Sequence, residues 1–308
     1  MHEIASQLRF PEGPVMLGGG SLLVVEIAAG CLTRIHPDGS TSLVAQLGGG
    51  PNGAALGPDG RCYVCNNGGF TWRERDGALL PSGTAPGYTN GSIQAVDLET
   101  GEVEVLYERC GDQRLNGPND IVFDAAGGFW FTDHGHAHGR SRDRGVVYYA
   151  RPDGSSIEQV IYPLEMPNGV ALSPDGGTLY VAETVTGRLW AWSVTAPGRL
   201  GKELRNILGG TGRLVHGLGG FQLFDSMAVD VDGNLHVGTV PSGISVISPE
   251  GRLIEQIRMP EKFATNLCFG GPDMRTAYVT LSSTGRVVAM PSAYTGAPVN
   301  FQPRTTAA

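Results

Sequence analysis

Six polar residues recur at the head of similar apolar runs: Glu12, Asn52, Asn119, Asn168, Asp225 and Asn266. Four are amides and two are carboxylates, so together they form a set of oxygen donors. Within it, Glu12, Asn119, Asn168 and Asp225 present two formal negative charges and two neutral carbonyls. That donor set suits a hard divalent cation, Ca²⁺ or Mg²⁺, better than a metal that prefers thiolate or imidazole. Any single Asn-Gly or Asn-Asp pair is an ordinary turn choice, made for local hydrogen bonds and tolerance of a left-handed backbone. A turn role does not explain why both exceptions are acidic.

These positions meet only if the chain is built from repeats around an axis. One unit recurs: a polar residue, a short apolar run, a turn rich in Pro, Asp and Gly, and a second apolar run. Clear copies are PNGAALGPDGRCYVCNN (51–67), PNDIVFDAAGGFWFTDH (118–134) and PNGVALSPDGGTLYVAET (167–184). Weaker copies are FPEGPVMLGGGSLLVVE (10–26), FDSMAVDVDGNLHVGT (224–239) and ATNLCFGGPDMRTAYVT (264–280). Their leading residues are separated by 40, 67, 49, 57 and 41 positions, room for four short strands per unit. Six such units predict an all-β, six-bladed propeller occupying residues 1–308 as a single domain. The first strand of each blade lines the channel, so residues that begin those strands converge on the axis. Closure of the ring is expected to pair the N-terminal segment with strands near the C-terminus, and 300–308 reads as a frayed tail.

The second strands return to the same face and end in Glu26, Asn66, Asp133, Glu183, Thr239 and Leu281, an outer ring. Asp133 and Glu183 are the expected substrate contacts there. Residues 66–91 form a polar, Gly-rich insertion placed over the channel mouth as a lid or a mobile loop. Its Phe70, Trp72 and Tyr88 are candidates for an apolar wall, or for packing beneath the loop. His134, His136 and His138 alternate, but the glycines around them indicate a loop. His134 is assigned to the pocket, and the other two to exposed loop. His36, His216 and His236 read as structural.

The chain has 47 Gly and 20 Pro, 41% apolar and 17% charged residues, and a net charge of −8. This balance fills a core and argues against nucleic acid as a partner, which needs a basic surface. No apolar stretch is long enough to span a bilayer and the start, MHEIASQLRF, lacks signal-peptide regions, so no membrane partner and a cytoplasmic location are expected. Five scattered cysteines do not form a disulfide framework. Cys62 and Cys65 read as lying on one strand, facing opposite sides, and so cannot share a metal. There is no G-x-S-x-G elbow for a nucleophilic serine.

The motifs PEGPV (11–15), PNDIVFD with GGFWFTD (118–133), MPNGVALSPDG (166–176) and DSMAVDVDGNLHVGT (225–239) together resemble the SMP-30/gluconolactonase/regucalcin-like family, with Ca²⁺-dependent lactonases of the drug-responsive type close by. The resemblance implies a six-bladed propeller with one metal bound by Glu12, Asn168 and Asp225, and Asn119 as a fourth metal or substrate ligand. One departure is Gly117, which stands where regucalcin-like members carry Arg. The implied activity is hydrolysis of a small lactone. The cation, Ca²⁺ or alternatively Mg²⁺, Mn²⁺, Zn²⁺ or Fe²⁺, would act as a Lewis acid while a carboxylate assists attack by water. Asp225 is the first candidate base, with Asp120 or Asp133 in reserve, and Asn119 is counted with the catalytic groups. Asn52, Asn266, Asp133, His134, Glu183 and Trp72 are the expected substrate-binding residues. Diisopropylfluorophosphatase-like enzymes share the arrangement, so phosphotriester hydrolysis is the alternative chemistry. A non-catalytic Ca²⁺-binding propeller is the alternative of another class. The partner is a small lactone or ester, with the chain acting as a monomer or homodimer.

Overall fold

The computed structural model describes residues 1–201 and 212–303. Second strands such as Leu22–Glu26, Cys62–Asn66, Phe129–Asp133 and Leu235–Val240 are buried along their whole length. Outer strands such as Thr41–Gln46 and Leu253–Ile257 are largely exposed. This gradient is what a sheet stood on edge requires: inner strands are covered on both faces by neighbouring sheets, outer ones face water.

Six antiparallel sheets stand around one axis. Blade 1 comprises Pro11–Met16, Leu22–Glu26, Cys31–Ile35 and Thr41–Gln46; blade 2 comprises Pro51–Leu56, Cys62–Asn66, Ser92–Val96 and Val103–Tyr107. Blade 3 comprises Pro118–Phe123, Phe129–Asp133, Gly145–Ala150 and Ile157–Leu164. Blade 4 comprises Pro167–Leu172, Thr178–Glu183, Arg188–Ala196 and Arg213–Gly217, with a short extra strand, Arg199–Leu200. Blade 5 comprises Leu223–Val229, Leu235–Val240, Gly243–Ile247 and Leu253–Ile257. Blade 6 takes Ala264–Gly270, Thr276–Leu281 and Arg286–Pro291 from the end of the chain and His2–Ala5 from its start. The N-terminal strand thus closes the ring, as its sequence position requires.

The core is divided among the joints between blades. Tyr63, Phe123 and Phe129 pack between blades 2 and 3, Trp130 and Trp192 between 3 and 4, and Phe224 and Leu235 between 4 and 5. Cys62 and Cys65, three apart on one strand, fall into different clusters, one facing blade 1 and the other blade 3. All five cysteines are free. Among the described residues no helix is long and apolar enough to cross a membrane.

Of the expected tail, Asn300 donates to the Phe123 carbonyl (3.0 Å) and Phe301 meets the Phe123 ring edge-on (5.9 Å). Residues 304–308 lie outside the described residues.

Candidate metal centre

Every blade breaks its ladder at the same place. Pairing between first and second strands skips between Glu12 and Val15, Pro51 and Ala54, Pro118 and Ile121, Pro167 and Val170, Phe224 and Met227, and Ala264 and Asn266. A β-bulge turns a side chain out of the pleat and ends pairing locally. The leading residue is itself skipped in blades 2 to 5, while in blades 1 and 6 Glu12 and Asn266 are paired and the skipped residues lie directly beside them. Spacing alone does not reveal this, although Pro before and Gly after the polar residue are its signal: Pro has no N–H to pair, and Gly accepts the distorted backbone.

Glu12, Asn52, Asn119, Asn168 and Asn266 are all buried. Burial holds the Glu12 carboxyl above its usual range, against bonds from Thr265, Asn266 and the Gly13 N–H that favour its charge. Asp225 is also raised, well above its usual range, first by burial and then by the negative charge of Glu12. Asp120 is pushed up to about 7, mainly by burial, with Glu12 adding to it. Nothing that shifts these three carboxyls is a cation. Asn119 Oδ1 is buried without a hydrogen-bond partner, and such an atom costs roughly 1–3 kcal/mol. Glu12 thus acts on Asp120 and Asp225 with no cation among the groups that shift them, and the unpaired amide oxygen belongs to the leading residue just before Asp120. Among the described residues no three His, Cys, Asp or Glu side chains group as a metal site by themselves. A metal held here would have to draw on amide oxygens as well, and those of Asn119 and Asn168 are the candidates.

Asn266, and Ser226 next to Asp225, brace two of the candidate donors. Asn266 Nδ2 donates to Glu12 Oε2 (2.8 Å), and Ser226 Oγ to Asn168 Oδ1 (3.4 Å). Asp120 stands where blades 1, 2 and 4 have Gly after the leading residue. Its oxygens accept the N–H groups of Ile121 (2.9 Å) and, from the next blade, Val170 (3.3 Å).

The outer ring latches the chain on its way to the bulge. Glu26 accepts the N–H of Arg9 (2.7 Å), Asn66 that of Gly50 (2.8 Å), Asp133 those of Asn116 and Gly117 (2.7 Å each), and Glu183 that of Glu165 (2.7 Å). Each bonded N–H lies two or three residues ahead of a leading residue. Glu183 also takes Thr186 Oγ1 (2.7 Å) and Trp190 Nε1 (2.9 Å), and Asp133 takes the Gly135 N–H (2.9 Å). Burial outweighs those N–H bonds and pushes Asp133 up to about 6. The sequence signal for these latches is that four of the six second strands end in Glu, Asn or Asp.

Within the long insertion, Phe70–Arg75 pairs with Ala78–Thr84 as a β-hairpin. The Trp72 ring packs 5.0 Å from Phe10, and Phe70 stacks on His134 at 6.0 Å. Burial pulls His134 down to about 4, so it is a neutral imidazole near pH 7. His136 corrects the expectation of an exposed loop. It is 3% exposed, held by the Asn67 carbonyl (2.7 Å) and Thr84 Oγ1 (3.1 Å), with the Tyr88 ring at 4.3 Å. The hairpin covers it, which a local reading of H-x-H-x-H does not reveal. His138 does face solvent, paired with Asp143 (3.0 Å). His236 is buried against Asp230 (3.1 Å), and His216 and His36 bond Gly251 O (2.8 Å) and Ser42 Oγ (2.9 Å).

A cavity of about 530 Å³ runs along the channel, lined by Gly13, Asp120 and Asn266 at one end and by Pro298, Val299 and Asn300 at the other. Its walls are later residues of the first strands, such as Leu56, Leu172 and Val229, so it lies beyond the leading residues from the hairpin.

Comparison with known proteins agrees with the propeller fold. The chain is 27% identical over 291 residues to a gluconolactonase of Zymomonas mobilis, covering 87% of this chain and 75% of the relative. It is 31% identical over 262 residues to lactonase drp35 of Staphylococcus saprophyticus, covering 84% and 72%. Among solved structures, a gluconolactonase from Xanthomonas campestris superposes with a TM-score of 0.73 at 23% identity, covering 94% of this chain and 88% of that one. A calcium-binding regucalcin from Agrobacterium tumefaciens gives 0.72 at 19%, covering 97% and 95%. At such identities the two structures speak for the fold alone. The family model for the SMP-30/gluconolactonase/LRE-like region matches residues 10–283, and the chain belongs to that family.

Proposed function

We propose that this protein is a carboxylic ester hydrolase that opens a small lactone at the ring of leading residues, with a divalent cation, Ca²⁺ first, held by Glu12, Asn119, Asn168 and Asp225. The observation that carries the reading is the buried Asn119 Oδ1 without a partner, on the same ring of leading residues as Glu12 and Asp225, whose carboxyls burial holds above their usual range, Asp225 also through the charge of Glu12. The relatives named gluconolactonase and lactonase supply the substrate class.

A cation bound there supplies Lewis-acid polarisation of the ester carbonyl. This chain's residues do the rest. Asp225, whose carboxyl burial and the charge of Glu12 make more basic than an ordinary aspartate, takes the proton of the attacking water. The C–O bond of the lactone ring breaks, and the proton passes from Asp225 to the leaving alkoxide. Asp120 is the weaker candidate for this step because backbone N–H groups already occupy both its oxygens. Asn266 keeps Glu12 oriented.

Dialysis against EDTA is expected to remove lactone turnover, measured by pH-stat over a lactone panel, while the circular dichroism spectrum of the β-sheets persists. Adding Ca²⁺ restores turnover. Full activity in the chelated protein would refute the metal-dependent reading, and turnover of paraoxon without that of any lactone would replace the substrate class.

A further inference from the structure

The donors sit on four separate blades, so the size of the ring depends on how closely neighbouring blades approach. We propose that Gly53, Gly169 and Thr132 are positioning residues that set this spacing and thereby the affinity of the ring for its cation. The inference rests on the function proposed above and adds residues to it.

A methyl group built on Gly53 of blade 2 would lie 2.5 Å from the Asn119 carbonyl oxygen, 2.6 Å from Asp120 Cα and 2.8 Å from Asp120 Oδ1 of blade 3. One built on Gly169 of blade 4 would lie 2.7 Å from the Asp225 carbonyl oxygen and 2.9 Å from Ser226 Cα of blade 5. Gly13 of blade 1 stands in the same relation to Asn52 of blade 2, at 2.7 Å from its carbonyl oxygen. Real Cβ atoms are not found this close to backbone, so the contact exists only because these residues are Gly. Neither Gly53 nor Gly169 has a positive φ, so the need here is for space rather than for a left-handed backbone. At the joint between blades 3 and 4 the following residue is Asp120 instead of Gly, and a hydroxyl takes over. Thr132 Oγ1 donates to the Asn168 carbonyl of blade 4 (2.6 Å) and accepts the Asp120 N–H (3.0 Å). The backbone of each amide or acid donor downstream of blade 2 is thus seated against the blade before it: Asn119 on Gly53, Asn168 on Thr132, Asp225 on Gly169.

A methyl at Gly53 must push Asn119 and Asp120 away, since the obstructing atoms are backbone. Residues that orient metal ligands typically change affinity by roughly 10–100-fold. The test compares Gly53→Ala, Gly169→Ala, Thr132→Val and Thr132→Ser with Gly270→Ala, all in the full chain. The methyl of Gly270→Ala meets the Met16 side chain (2.6 Å) at the far end of the blade 6 strand, so it probes packing away from the ring. Titration calorimetry with Ca²⁺ should show Gly53→Ala, Gly169→Ala and Thr132→Val binding at least ~10-fold more weakly than the parent, with Thr132→Ser and Gly270→Ala close to it. Parent affinity in Gly53→Ala and Thr132→Val would overturn the proposal. If the alanine variants do not fold, Thr132→Val, which adds no volume, decides. If the parent itself takes up no Ca²⁺, the metal reading falls, and a crystal structure of Gly53→Ala judges the spacing. An Asn119 carbonyl displaced from its place beside blade 2 supports it, and an unmoved one overturns it.

Discussion

Asp225→Asn is expected to lower lactone turnover by at least ~100-fold and to raise the thermal midpoint of the chelated protein in the same sample. The two effects have one cause. Asp225 is half-buried beside Glu12, whose negative charge disfavours its ionised form when no cation is present. Asn has the same shape and no charge, and neutral replacement of poorly compensated buried charge commonly stabilises by about 1–4 kcal/mol. For a chain of this size that is on the order of several degrees in a calorimetric scan. The same change removes the proposed base and one of the two formal charges on the ring, hence the loss of rate. Glu12→Gln should behave alike in stability and in Ca²⁺ binding. An Asp225→Asn variant that keeps parent turnover, or that melts lower than the parent in EDTA, would contradict the account. This trade of stability for function is what a site assembled from repulsive groups implies.

Chelated protein is also expected to lose stability as pH rises, the reverse of ordinary acid denaturation. The sign follows from proton counts. Asp120 is held up to about 7 and Asp133 up to about 6 in the folded chain, with Glu12 and Asp225 also raised. Unfolded carboxyls release their protons near pH 4. Between about pH 4 and pH 7 the folded state therefore holds protons that the unfolded state has lost, and stability falls through that window. The turn aspartates Asp38, Asp97 and Asp153, held below their usual range by bonds from turn neighbours, act with the opposite sign but only below about pH 4. The midpoint in EDTA should drop by on the order of 5–10 °C from pH 5 to pH 8. Millimolar Ca²⁺ at pH 8 should recover most of it, because a ligand of the folded state stabilises by mass action. A chelated midpoint that climbs over this range would mean the carboxyls are ionised at no cost and the ring is not crowded.

The architecture was legible because propeller repeats leave a periodic mark: four Asn-led runs, one Asp-led run and their turns rich in Pro, Asp and Gly locate five first strands, and PEGPV the sixth. The candidate donors stand out for the same reason, since Glu12 and Asp225 break an otherwise amide pattern. What could not be read was set by contacts across blades. Spacing shows neither the bulge at or beside each leading residue nor why Asp133 and Glu183 face backbone N–H groups. The Gly after Asn52 and Asn168 reads as a turn residue until the neighbouring blade is seen to press on it. His136 reads as loop until the hairpin of the preceding blade covers it. Trp72 and Phe70 read equally as pocket wall or packing, and the structure adds their contacts with Phe10 and His134.

The direct test of radial convergence is a crystal soaked in Mn²⁺, located by its anomalous signal and then exchanged for Ca²⁺. The account predicts one strong peak on the axis, with oxygens of Glu12, Asn119, Asn168 and Asp225 at about 2.3–2.6 Å once Ca²⁺ is in place. A peak held by other residues, or no peak at millimolar cation, would contradict it.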